Sequence, residues 1–271
     1  NRERLFSSTK PPHACWEDRL RPFVLIAVVL LALSTTVATA DVPPILTAPR
    51  ARVQTADYRV SGRLVSVDAT GRRINYAVTI KAHWFPGVLR VMVDVTSPVA
   101  AREHVLLEMR PEAQDAISLA KPGDTSSAPL PFSQWSDGVL GGMFSYEDFL
   151  EPEYFWPGQT VIEETKRGAR DCVVLKSTPG LAERTHYADV RSWLDKAIGF
   201  PVYVEKTLKG SSKVKTFTYY GLRHEEGVWS ATQIEAAEHG KPGSTLLIFE
   251  RGTAKANLGL KDFSREAMIH F

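Results

Sequence analysis

The sequence has too little cysteine for a disulfide scaffold. Of 271 residues only Cys15 and Cys172 are cysteines. Cys15 falls in what reads as a removable leader, and one remaining thiol cannot bridge internally. The fold must then stand on core burial, even in an oxidising compartment. Cys172 sits in the apolar run Cys172-Val173-Val174-Leu175 and reads as a small core residue rather than a nucleophile. Net charge is small, +2 over the whole chain, and vanishes without segment 1–40. Segment 1–40 carries five basic and three acidic residues; taking these from 33 and 31 leaves 28 of each sign. A neutral chain gives no support to nucleic-acid binding through a basic face. The known catalytic signatures are absent as well: no G-x-S-x-G, H-E-x-x-H, C-x-x-C, P-loop or dinucleotide fingerprint. The histidines His83, His104, His186, His224, His239 and His270 show no ligand spacing. No enzyme activity, cofactor or metal is expected.

Long apolar runs are scarce. Arg19 and Arg21 precede the run Phe23 to Leu33, which an Ala38-Thr39-Ala40 site follows. Basic residues, a short apolar core and a small-residue site describe a secretory signal peptide, with the mature chain starting at Asp41. The run is short of the ~20 residues that a spanning helix needs. An uncleaved anchor, extended through Val37 to Ala40, is the alternative. Residues 1–18 read as an upstream extension. The expected organisation is a leader over 1–40 and a single domain over 41–271, exported to the periplasm.

What the chain has in quantity is alternation. Ile74, Tyr76, Val78, Ile80, Ala82 and Trp84 alternate with polar or small residues, and Leu89, Val91, Val93 and Val95 repeat the pattern. Further strand-like segments include 58–67, 160–166, 171–176, 201–208, 213–222, 228–237 and 245–254, separated by turns such as Gly240-Lys241-Pro242-Gly243. Short strands joined by tight turns predict a mainly β fold, an antiparallel sheet that curls or packs on a partner layer. Segment 183–196 fits helical and strand spacing alike.

One stretch breaks the pattern. Between Gly138 and Trp156 lie Phe144, Tyr146, Phe149, Tyr154, Phe155 and Trp156, with Gly138, Gly141 and Gly142. No period runs through it. It reads either as a hydrophobic cluster under a loop or as a lid. Glu147, Asp148, Glu151 and Glu153 read as a solvated acidic rim rather than an acid/base pair.

Several segments resemble the outer-membrane lipoprotein-sorting (LolA-like) family. They are Tyr58 to Val65, Lys81 to Pro86, Phe144 to Asp148, Tyr187 to Val204, Val228-Trp229-Ser230 and Glu250 to Ala256. Trp193 to Pro201 looks like that family's strand-turn-strand segment and turns the ambiguous 183–196 region toward strand. The resemblance implies an unclosed antiparallel half-barrel with helical or loop lid segments over its concave face. It also implies a monomeric periplasmic carrier of lipoprotein or lipid acyl chains, working with an inner-membrane transporter. A sensor or adaptor that binds a lipid-bearing or misfolded protein in the same cavity is the alternative. The short, proline-broken segment before Tyr58 departs from the family's long lid helix, so 132–156 would do more of the covering. Cavity candidates are Tyr76, Val78, Ile80, Trp84, Leu89, Val91 and Val93. Lid candidates are Phe132, Trp135, Phe144, Tyr146, Phe149, Phe155 and Trp156.

Overall fold

The computed structural model describes residues 42–271, so the expected leader lies outside the described residues. The alternating segments form two meanders. The first comprises β1 (Asp57–Val67), β2 (Arg73–Phe85), β3 (Val88–Ser97), β4 (Glu103–Met109), β5 (Ala116–Ala120) and β6 (Ala128–Pro129). The second comprises β7 (Gly158–Arg167), β8 (Arg170–Thr178), β9 (Tyr187–Asp195), β10 (Pro201–Leu208) and β11 (Val214–Tyr220). A hairpin of β12 (Arg223–Glu225) and β13 (Val228–Ser230) precedes β14 (Gln233–Glu238) and β15 (Ser244–Thr253). Within segment 183–196, Tyr187–Asp195 is strand (β9), as the family resemblance implies.

Thirteen strands make one antiparallel sheet, in the order β6-β5-β4-β3-β2-β1-β15-β14-β11-β10-β9-β8-β7. The last strand, β15, pairs with β1 and joins the two meanders. The sheet is strongly curved and unclosed, a half-barrel. Its free edges, β6 and β7, are consecutive in the chain. Residues 130–157 must therefore cross from one edge to the other, over the open side. This topology places the aromatic stretch against the concave face.

Register carries the alternation across strands. Val60, Ile80, Val93 and Val105 form one inward row; Ala82, Val91 and Leu107 form the next. The inward face of β3 bears Leu89, Val91, Val93 and Val95, all buried in the main core. Met92, of opposite parity, packs on the outer face with Phe263 and Met268 of the C-terminal segment, which includes α2 (Arg265–Ile269). Cross-strand pairs of this kind stabilise a sheet by roughly 0.2–1 kcal/mol each.

Curvature has a local device. The β1–β15 register slips between Ser61 and Gly62, and such bulges bend and twist a strand. A Cβ on Gly62 would lie 1.9 Å from the Ile248 carbonyl oxygen, so only glycine allows the strands to approach there.

Two expectations change. Proline-broken 42–56 forms a short turn (Pro44–Leu46) and helix α1 (Thr47–Gln54); Leu46 of the turn and Val53 of the helix are buried. The 228–237 strand is interrupted. The chain leaves the sheet at Gly221, whose φ is +60°, makes the β12–β13 hairpin and returns at Thr232. There the Thr232 N–H donates to the Tyr220 and Gly221 carbonyls at 3.0 and 3.2 Å. Those bonds pinch the hairpin off as a separate two-stranded flap.

Candidate functional site

A cavity of about 570 Å³ lies between the concave face and its cover, within the ~300–1,000 Å³ range of small-molecule sites. The sheet supplies Val60, Ile80, Leu89, Val91, Phe217, Tyr219, Ile234, Leu247 and Phe249. The cover has three parts. Helix α1 contributes Arg52 and Val53, and the turn after it Ala56; the crossing segment contributes Phe144 and Phe149; the flap contributes Val228 and Trp229. Exposed lining residues, among them Thr55, Tyr58, Thr253, Glu225 and Glu226, mark the mouth. Buried Phe217 and Lys206 lie toward the inner end.

The crossing segment is held down by buried charge. Burial would push the Asp148 carboxyl up, but Lys215 and Lys206 beside it hold it well below the usual carboxylate range. Its side chain is fully buried and ion-paired to Lys215. Tyr187 Oη donates to Asp148 Oδ1 at 2.6 Å, and Ser145 N–H and Oγ donate to Oδ2 at 2.8 and 2.7 Å. Lys206 Nζ sits 3.5 Å from Asp148 and 3.7 Å from Glu153. Burial pushes the Glu153 carboxyl up, and Lys206 offsets only part of this. Glu147 is buried and accepts from Thr185 Oγ1 at 3.0 Å and from the His186 N–H at 3.2 Å. Arg52 grips Glu151 through two hydrogen bonds of 2.8 and 2.9 Å, tying α1 to the segment.

This corrects the expectation of a solvated acidic rim. Glu147, Asp148 and Glu153 are buried: the segment folds over two inward-facing lysines beside Asp148 and Glu153, while Thr185 and His186 hold Glu147. Burying a lone carboxylate is very costly, so the pairing is a condition of closure.

Of the cavity candidates, Ile80, Leu89 and Val91 line the cavity. Tyr76, Val78, Trp84 and Val93 share that face but pack in the core beside it; Trp84 stacks on Phe155 with centroids 6.3 Å apart. Of the lid candidates, Phe144 and Phe149 reach the cavity. Phe132 and Trp135 pack edge to face at 5.4 Å, the Tyr146 hydroxyl donates to Glu103 Oε1 at 3.4 Å, and Trp156 is buried in the core. The Gly138 to Gly142 stretch is a tight turn pinned by the Val139 N–H on the Phe144 carbonyl at 2.7 Å.

Sequence reading missed α1, the flap and Lys206. A signal for Lys206 was present. Val202, Val204 and Lys206 share one face of β10, and Lys215, Phe217 and Tyr219 share one face of β11. A lysine at an apolar parity position on two adjoining strands marks a buried countercharge.

A family model described as "uncharacterized protein" matches residues 89–270. No curated protein matches the chain. Among the solved structures that match, three illustrate the shared fold. A candidate outer-membrane lipoprotein-sorting protein domain from Vibrio parahaemolyticus is 20% identical, with 83% of this chain and 96% of that one aligned at a TM-score of 0.75. A DUF1329 family protein from Desulfovibrio piger is 16% identical over 82% and 96% of the two chains, TM-score 0.72. A LolA superfamily protein from Nitrosomonas europaea is 17% identical over 82% and 97%, TM-score 0.62.

Proposed function

Because the chain belongs to the family whose model spans residues 89–270 and has the lipoprotein-sorting (LolA) fold, we propose that it is a periplasmic carrier of acyl chains. Lipoproteins or lipids destined for the outer membrane would be the cargo. The observation that carries the reading is the cavity of about 570 Å³ between the concave face and the three-part cover.

The physical need is plain. Each methylene moved from an apolar site into water costs about 0.8 kcal/mol. Ten methylenes come to about 8 kcal/mol, so a chain crosses water only inside a shield. The inward apolar parity of β1, β2, β3, β14 and β15 provides that lining. Binding and release need only movement of the cover.

The fastenings indicate which part moves. The crossing segment is anchored by buried ion pairs, whereas the flap is tied at its tip by the Ala254 N–H on Glu226 Oε2 at 3.2 Å, an exposed bond. Cargo would enter past the flap.

The test is native mass spectrometry of the protein purified from a Gram-negative periplasm without detergent, followed by lipid extraction. An acyl-bearing adduct is expected. A bound protein without lipid would favour the adaptor alternative, and a chain that stays empty when offered acyl lipid would overturn the carrier reading.

A further inference from the structure

The cavity is not uniformly apolar. At its inner end stands Lys206, whose side chain is only 6% exposed. It lines the large cavity and also a water-sized pocket behind it. An ammonium carries three N–H donors. Among the described residues, Lys206 Nζ makes no hydrogen bond. Its nearest anionic partners, Asp148 and Glu153, are 3.5 and 3.7 Å away, and the rings of Tyr187 and Phe217 lie 5.2 Å from it. Asp148 is already engaged by Lys215, Tyr187 and Ser145.

A purely hydrocarbon occupant would expel water from this end and leave buried charged donors without acceptors, a costly outcome. An occupant with an oxygen at its end would satisfy them. The path from the mouth to Lys206 runs from Gly252 on β15 across β14 and β11 to β10. That is three inter-strand steps, about 14 Å, floored by Phe249, Leu247, Ile234 and Phe217. A hydrocarbon tail suits this floor, and an oxygen suits its end.

We propose that the cavity takes a single-chain acyl lipid head first, with its carboxyl or ester oxygen accepting a hydrogen bond from Lys206. This rests on the acyl-chain reading above and narrows it. The acyl carbonyls of a lipoprotein stay next to the protein they are attached to, so they cannot reach a lysine at the inner end of the cavity. A free fatty acid or a small acyl ester can. The cargo is then a free lipid, and lipoprotein is excluded from the inner end.

The test compares dodecanoic acid, methyl dodecanoate and dodecane as displacers of a bound fluorescent apolar probe. A charge-assisted hydrogen bond implies that the oxygenated ligands bind about tenfold or more tighter than the alkane. Lys206→Met should narrow that gap and Lys206→Arg should restore it. Loss of the gap for the acid alone identifies a fatty acid as the ligand; loss for acid and ester together identifies the acyl oxygen as the recognised group. Equal affinity of wild type for all three compounds overturns the proposal.

A second measurement needs no variant. With carbonyl-¹³C dodecanoate bound to the wild-type protein, a water-soluble paramagnetic agent should leave the carbonyl resonance sharp. A broadened carbonyl with a protected terminal methyl means tail-first binding, which overturns this inference while leaving the carrier reading intact. Failure of every acyl compound to displace the probe removes the carrier reading itself.

Discussion

Lys206 and Lys215 are directly paired across β10 and β11, and both reach the carboxylate of Asp148 on the segment that crosses the open side. Two like charges in one cross-strand pair would repel. Here the third residue, about sixty positions away in sequence, turns the repulsion into an anchor. The sheet cannot be stable at this point unless it is covered, so folding of the sheet and closure of the segment are coupled.

Asp148→Asn should therefore be severe. Removing one partner from a buried ionic network costs about 3–5 kcal/mol, and here it leaves Lys215 facing a neutral amide and Lys206 with Glu153 alone. Urea unfolding at pH 7 checks the loss. The wild type has a matching acid signature. The folded carboxyl lies below its unfolded value of about 3.9, so its contribution is complete above that pH and is lost as pH falls further. Wild-type stability should drop below pH 4, and the variant should drop less.

Asp115 behaves oppositely. Burial pushes its carboxyl up to about 6, against a hydrogen bond from the Arg110 N–H that pulls it down. The folded value is above the unfolded one, so the folded state holds its proton longer. Stability at this site is full below about pH 4 and is lost as pH rises toward 6. Asp115→Asn keeps an acceptor for the Arg110 N–H and removes the penalty. It should stabilise the protein at pH 8 by the order of 1 kcal/mol once partial solvation is allowed for, and have little effect at pH 4. Thermal melts at the two pH values decide this.

Gly62→Ala tests the bulge. The added methyl would meet the Ile248 carbonyl oxygen at 1.9 Å, and backbone cannot yield as a flexible side chain can. A loss of about 3 kcal/mol is expected, in the range of overpacking strain. A denaturation midpoint equal to wild type would show that the strands can separate at that point without cost.

Ile234→Trp tests the cavity. Ile234 lines it from β14, beside Leu247 and Tyr219 in register. A larger ring there should shorten the longest acyl chain accepted, weakening sixteen-carbon ligands by about tenfold or more while sparing eight-carbon ones. A chain-length series by probe displacement reads the shift. An unchanged length profile would place the ligand elsewhere.

The sequence by itself determined the class of fold. The period-two runs at 74–84 and 89–95 specify strands with one buried face, because a one-residue slip would turn every valine to water. The aromatic stretch 138–156 was recognisable as an irregular covering segment because six large rings without a period need a surface to lie on. Tertiary structure alone decided what that covering does. Only the strand order makes β6 and β7 the two edges, so that 130–157 spans the opening. Only the fold brings Asp148 to Lys206 and Lys215, converting acidic residues that look solvated into a buried clasp. The flap and α1 were hidden for the same reason: their few apolar residues matter only where long-range pairing sets them above the cavity.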